Sequence, residues 1–257
     1  MALETVFVGP APRLAVSVAG SGPLVIFLHG IGGNRAHWTA QLHFFAEGFR
    51  TAAWDARGYG DSDDYEGALQ FEDFTADLLR VVDFLREDKA HVVGLSMGGR
   101  IARGFALRHP GRVHTLTLAN TSPGFDALTP EEVLKFVAER KERSPDSMRR
   151  LLGSRARPGA YQALLGSFKA LRNESYLKTL EASVAQDRAA PLEKLSVPTL
   201  VVTGDEDRVY PLELTRRMAQ RIPGAELVVL EGCGHLSNLE QPERFNAALL
   251  DFLKRNS

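Results

Sequence analysis

The chain has 257 residues, a formal net charge of −1, and 44% hydrophobic against 25% charged residues. That balance belongs to a folded globular protein and gives no reason to expect disorder, a nucleic-acid partner or attraction to an anionic membrane surface. The single cysteine, Cys233, forms no internal disulfide, and Met1-Ala2-Leu3-Glu4-Thr5 lacks the basic start of a secretory leader, so a cytoplasmic protein with no membrane span is expected.

Strands and helices alternate along most of the sequence, which predicts a mainly parallel sheet covered on both faces. Val6–Val8 and Leu14–Val18 read as an amino-terminal antiparallel pair. Leu24–Leu28, five apolar residues in a row, suits a central strand buried on both faces. It runs into His29-Gly30-Ile31-Gly32-Gly33, a loop whose glycines let main chain approach a ligand. A helix over Arg35–Gly48 and a strand over Thr51–Trp54 follow. Phe71, Phe74, Leu78, Val81, Val82 and Leu85 recur at helical spacing and lead into the next strand.

That strand ends in Gly94-Leu95-Ser96-Met97-Gly98, followed by helix-forming sequence. A serine on a sharp strand-to-helix turn, with small neighbours, is the arrangement that exposes a hydroxyl nucleophile. The pentapeptide alone also fits a plain turn with a helix-capping serine. In the nucleophilic case a tetrahedral oxyanion needs two N–H donors. Met97, after the serine, supplies one, and Ile31 in the earlier glycine loop supplies the other. His29 in the same loop is read as a brace rather than a base, because buried polar groups seek partners.

Thr115–Leu118 is another strand, and then the alternation stops. Pro130–Arg140, Ser147–Leu152, Tyr161–Arg172 and Tyr176–Gln186 read as successive helices. They predict a helical cap over residues 122–195, inserted into a core formed by 1–121 and 196–257. Leu134, Phe136, Val137, Leu151, Leu164, Leu165, Phe168 and Leu177 either line a pocket beneath that cap or pack it onto the core. Arg155 and Arg157 sit in a loop between cap helices, as solvated charges or as receptors for a substrate carboxylate. Beyond the cap, Val197–Thr203 and Ala225–Leu230 are strands, and Gln241–Arg255 is a final helix.

The first of those two strands ends in Gly204-Asp205-Glu206-Asp207 and the second in Glu231-Gly232-Cys233-Gly234-His235. A serine, then an acid, then a histidine, each at a strand end, supplies a nucleophile, a carboxylate that orients the imidazole, and a general base. The residues leave three acids in competition: Asp205, Glu206 and Asp207. Cys233, two residues from the histidine, reads as a small buried filler rather than a reactive thiol.

Taken together these motifs resemble the α/β-hydrolase superfamily over nearly the whole chain. The resemblance implies an α/β fold, a mostly parallel sheet of about eight strands flanked by helices. It favours Asp207 among the three acids, since Asp207 stands third after Gly204 with Pro211 following. Trp54-Asp55-Ala56-Arg57-Gly58-Tyr59-Gly60-Asp61-Ser62 is similar to the superfamily's loop beneath the site, so Asp55 and Arg57 are read as structural. His235-Leu236-Ser237-Asn238-Leu239-Glu240-Gln241-Pro242 and Asn120-Thr121 resemble the 3-oxoadipate enol-lactonases and related small carboxylesterases. The His29–Gly33 loop looks more like the carbon–carbon bond hydrolases, but Leu95 stands where those usually place asparagine.

The implied activity is hydrolysis of a small carboxylic ester or lactone by Ser96, His235 and Asp207. Carbon–carbon bond hydrolysis, perhydrolysis or lyase chemistry on the same triad, and a non-catalytic ligand receptor, are the alternatives. The sequence has no dinucleotide fingerprint, phosphate loop or His-Glu-x-x-His, so neither a cofactor nor a metal is expected.

Overall fold

The computed structural model describes residues 2–256 apart from 126–127, 143 and 187–189. Among these residues the strands form one eight-stranded sheet in the order β1-β2-β4-β3-β5-β6-β7-β8. β1 (Glu4–Val8) and β2 (Leu14–Ala19) are antiparallel, and β2 also runs antiparallel to its other neighbour, β4 (Arg50–Trp54). From β4 onward, β3 (Leu24–Leu28), β5 (Ala90–Leu95), β6 (Val113–Ala119), β7 (Thr199–Gly204) and β8 (Glu226–Leu230) pair in parallel. This is the α/β-hydrolase architecture the motifs imply.

Alternation along the strands divides the core between two faces. Leu24, Ile26 and Leu28 of β3 pack with α2 (Phe71–Phe84) and α3 (Met97–Arg108). Val25 and Phe27 face the other way, toward α1 (Thr39–Phe45) and α10 (Pro242–Arg255). There the Phe27 and Trp38 rings stack with centroids 5.0 Å apart. All five side chains of β3 are buried, which is why that strand has no polar alternation.

Register brings the strand ends that matter to one edge. Leu28 pairs with Gly94, Leu95 with Ala119, and Gly204 with Leu230. The loops after β3, β5, β6, β7 and β8 therefore emerge side by side at the carboxyl edge, where open α/β sheets build ligand sites. Between β6 and β7 lie α4 (Pro130–Glu142), α5 (Pro145–Arg149), α6 (Pro158–Lys169) and α7 (Asn173–Gln186). After β7 the chain forms α8 (Leu212–Arg221), then β8 and the one-turn α9 (Ser237–Glu240).

Some expected boundaries move, for identifiable reasons. The helix predicted over Arg35–Gly48 starts as a 3₁₀ turn, Arg35–Trp38, capped by Asn34, and becomes α-helical only at Thr39. The Arg35 N–H is held by Asp55 Oδ1 at 2.7 Å, tying the first turn to the neighbouring loop. The final helix begins at Pro242 rather than Gln241, as a residue whose ring fixes φ and lacks an N–H suits the first helical position. Leu134 is 71% exposed, on the surface of α4. No helix among the described residues is long and apolar enough to cross a membrane.

His91 shows how the sheet handles a polar side chain. It is buried in β5, its Nδ1 2.9 Å from Thr115 Oγ1 and its ring stacked on His114. Burial, reinforced by the neighbouring His114, pushes its pKa down from 6.5 to about 4. The unfolded chain therefore takes up a proton that the folded chain refuses, and stability falls as the pH drops from 6.5 to about 4. A shift of that size is worth up to about 3 kcal/mol. Thermal unfolding followed from pH 7 to 4 should show His91→Gln losing less stability than the wild type; an unchanged pH dependence would remove His91 from this account.

Candidate active site

Ser96 sits at the junction of β5 and α3 with φ 55° and ψ −114°. That is a strained conformation for a residue with a side chain, sustained only where the surroundings fix it. The Ser96 N–H donates to the Ala119 carbonyl at 2.9 Å, and Thr121 Oγ1 donates to the Ser96 carbonyl at 2.7 Å. Gly94 and Gly98 make the bend feasible. A Cβ on Gly94 would overlap the Gly98 carbonyl, and one on Gly98 would overlap that of Leu28.

Met97 is the first residue of α3, so its N–H has no acceptor within the helix. Ile31 lies in the loop after β3 and lines the same cavity as Ser96. Among the described residues neither N–H meets a hydrogen-bond acceptor. Two unpaired donors and the positive end of a helix beside the serine suit a developing oxyanion.

His235, from the loop after β8, places Nε2 3.0 Å from Ser96 Oγ. Its Nδ1 lies 3.0 and 3.1 Å from the two carboxylate oxygens of Asp207, in the loop after β7. The backbone N–H groups of Val209 and Tyr210 donate to Asp207 Oδ1 at 2.8 and 3.0 Å, and Asn120 Nδ2 donates to Oδ2 at 3.1 Å. Burial alone would raise the Asp207 pKa. The facing His235 and the hydrogen bonds from His235, Tyr210 and Asn120 outweigh it and hold the carboxyl below its ordinary range. The competing acids are occupied elsewhere. Asp205 accepts from the Gly232 N–H at 2.7 Å, and Glu206 accepts from the N–H and hydroxyl of Ser154 at 2.7 and 2.6 Å.

Two supporting residues have roles that sequence reasoning missed. Asn120, at φ 45°, donates from Nδ2 both to Asp207 and to the Gly234 carbonyl (2.9 Å). It thereby joins the acid loop to the histidine loop. Its position just after a strand, at the same edge as the triad, was the available signal. Glu240 is buried, and its carboxylate accepts from the N–H groups of Gly153, Gly234 and Leu236 at 2.7, 2.9 and 2.8 Å. Burial pushes its pKa up against these donors and against His235.

The glycines before His235 make room for backbone rather than for the imidazole ring. A Cβ on Gly234 would lie 2.5 Å from the Leu151 carbonyl oxygen and 2.6 Å from the Gly153 nitrogen. The His235 N–H donates to that Leu151 carbonyl at 2.7 Å, and the Arg155 N–H to the Gly232 carbonyl at 2.9 Å. The chain between α5 and α6 is thus laid directly on the histidine loop.

The other candidates have structural places. His29 is buried, its Nδ1 2.8 Å from the Gly30 carbonyl and its Nε2 accepting the Ala56 N–H at 3.0 Å. Burial lowers its pKa, and it braces the loop as a neutral ring. Asp55 accepts from the backbone N–H groups of Arg35 and Asp61, and Arg57 forks onto Asp77 at 2.6 and 2.8 Å. Cys233 is buried with its thiol pKa raised by burial. Arg155 pairs with Glu231 at the surface, and Arg157 donates to the Leu239 carbonyl. Neither arginine lines the cavity that holds Ser96.

That cavity is a narrow space of about 20 Å³, bounded on the core side by Ile31, Leu95, Ser96 and His235. Leu151, Leu164, Phe168 and Arg140 close it from the helical segment between β6 and β7. Phe136, for which the sequence left pocket lining and packing both open, packs with Phe125 and Leu180 in a separate apolar cluster.

A family model described as alpha/beta hydrolase fold matches residues 23–242. The chain is 33% identical to a 2-hydroxy-6-oxononadienedioate/2-hydroxy-6-oxononatrienedioate hydrolase of Paraburkholderia phymatum, over 95% of this chain and 92% of that protein. To 3-oxoadipate enol-lactonase 2 of Acinetobacter baylyi it is 27% identical, over 91% of this chain and 89% of that one. The crystal structure of the enol-lactonase from Burkholderia xenovorans superposes with a TM-score of 0.84 at 27% identity, covering 94% of this chain and 96% of that one. The fold, the matched span and these similarities agree: the chain belongs to the α/β-hydrolase family.

Proposed function

We propose that this protein is a serine hydrolase of small carboxylic esters or lactones, with Ser96 as nucleophile, His235 as proton carrier and Asp207 as its orienting anion. The observation that carries this is the 3.0 Å contact from His235 Nε2 to Ser96 Oγ, beside the unpaired N–H groups of Ile31 and Met97. Ser96 Oγ attacks the carbonyl carbon while its proton passes to His235 Nε2. The resulting oxyanion takes the two N–H bonds. As the tetrahedral intermediate collapses, the carbon–oxygen bond breaks and Nε2 returns the proton to the leaving alkoxide. A water then attacks the acyl-enzyme, giving its proton to Nε2, and collapse releases the acid and restores the Ser96 hydroxyl. Asp207 stays ionised and stabilises the imidazolium throughout.

Carbon–carbon bond hydrolysis is the second reading, favoured by the similarity to the Paraburkholderia hydrolase. An oxygen leaving group needs only the proton that His235 already carries. A carbon leaving group must be protonated at carbon, and the side chain beside the nucleophile, Leu95, brings only hydrocarbon to the cavity wall. The ester or lactone reading is therefore preferred. The cavity beside Ser96 has a volume of about 20 Å³, room for about one water.

Ser96→Ala should lower p-nitrophenyl acetate turnover by about 10⁶-fold, as removal of the nucleophile does in other triads, with an unchanged circular dichroism spectrum. Residual activity within about tenfold of wild type, equivalent to 1.4 kcal/mol, would exclude Ser96 as the nucleophile. Asp207→Asn should lower kcat by about 10⁴-fold through loss of the correct imidazole tautomer. A panel of acyl esters, lactones and a ring-fission dienoate separates the two readings. Turnover of the dienoate alone would replace ester hydrolysis with carbon–carbon cleavage.

A further inference from the structure

Arg140 lies in the last turns of α4 and is only 6% exposed. Its carbonyl accepts the Tyr176 hydroxyl at 2.9 Å, which fixes that end of α4 against α7. Its guanidinium stands over the Phe136 ring, 4.7 Å from the centroid, and Arg140 is among the residues lining the cavity that contains Ser96 and His235. Among the described residues no carboxylate pairs with it, and no acidic side chain lines the cavity.

This differs from how the fold treats two half-buried arginines. Arg57 is forked onto Asp77 and reaches Asp73 as well, and Arg35 is paired with Asp55. A guanidinium stays charged at any physiological pH, and removing it from water without a counter-ion is unfavourable. The Phe136 ring face offsets part of that penalty. The remaining cavity wall is mostly hydrocarbon. His37, the other basic group besides His235, is kept neutral there by burial, with its pKa pushed down to about 4 and its Nε2 2.9 Å from Ser167 Oγ. The cavity lining thus includes one permanently charged residue, Arg140, with no carboxylate partner among the described residues.

We infer that Arg140 is the anion anchor of this site and that the substrate carries a carboxylate apart from the bond that is cleaved. A planar carboxylate meets the guanidinium fork with two charge-assisted hydrogen bonds and supplies the missing counter-ion. The substrate class narrows to half-esters of dicarboxylic acids, or to lactones that bear an acid. This inference rests on the hydrolytic function proposed above. Arg155 and Arg157, for which the sequence left open a carboxylate contact or a solvated surface place, have structural partners instead.

The test compares the mono-p-nitrophenyl ester of glutaric acid with the same ester methylated on its distal acid. Wild type should favour the free acid, and Arg140→Gln should lower the ratio of kcat/KM for acid over methyl ester by about 10- to 100-fold, the range expected for losing hydrogen bonds to a charged group. Arg140→Lys should retain part of the preference, and Arg140→Glu should reverse it. Because each variant is its own reference, a folding defect lowers both rates and leaves the ratio intact. An unchanged ratio in Arg140→Gln overturns the anchor while hydrolysis stands. If wild type cleaves neither ester, the hydrolytic function fails separately, and calorimetry with glutarate on the Ser96→Ala protein decides the anchor. Binding that weakens on adding Arg140→Gln supports it; no binding, or binding indifferent to that substitution, overturns it.

Discussion

The hydrogen bond between the His235 ring and the Ser96 hydroxyl joins positions 139 residues apart, and much of the structure serves to hold that one contact. Neither side chain has a local reason to find the other. They meet because parallel pairing ends β5, β6, β7 and β8 at the same edge, and because each following loop is pinned by backbone hydrogen bonds. The strained Ser96 backbone is secured from β6 by the Ala119 carbonyl and by Thr121. The acid and histidine loops are secured to each other through Asn120. The entropy of bringing these groups together has thus been met during folding.

Two buried carboxylates near His235 show how environment separates roles. Asp207 faces the imidazole and has hydrogen-bond donors on both oxygens, so it remains an anion and can stabilise positive charge on the ring. Glu240 stands behind the histidine loop and spends its lone pairs on backbone N–H groups, two from that loop and one from Gly153. Its pKa moves the opposite way because burial dominates. One carboxylate is bonded to the imidazole and the other to the backbone of the loop that carries it.

Ser96, Asp207, His235, Ile31 and Met97 were legible as candidates because each lies within a few residues after a strand, and strand ends are visible as breaks in apolar runs. The five-residue β3 run and the Gly94–Gly98 turn announced themselves for the same reason. Arg140 was not legible. It lies on a helix with charged residues all round it in sequence, and only the packing of α4 against α7 and Phe136 turns that one cation inward. Arg155 and Arg157 looked better placed because glycine and proline flank them, yet Glu231 and the Leu239 carbonyl take up their guanidinium groups. Glu240 was quoted only as part of a motif, since a carboxylate that binds backbone N–H groups leaves no spacing pattern to read. The moved start of α1 reflects a tertiary bond, from Arg35 to Asp55, that local helix propensity cannot foresee.

The contact of Gly153 with Gly234 has a consequence for how such a protein changes over time. The stretch that helps roof the cavity and the stretch that presents the imidazole share one buried acid and lie backbone against backbone, too close for either glycine to gain a side chain. Remodelling the roof to admit a new molecule is therefore free only where it leaves 151–155 in place. A change in that short seam would shift the backbone that presents the His235 ring.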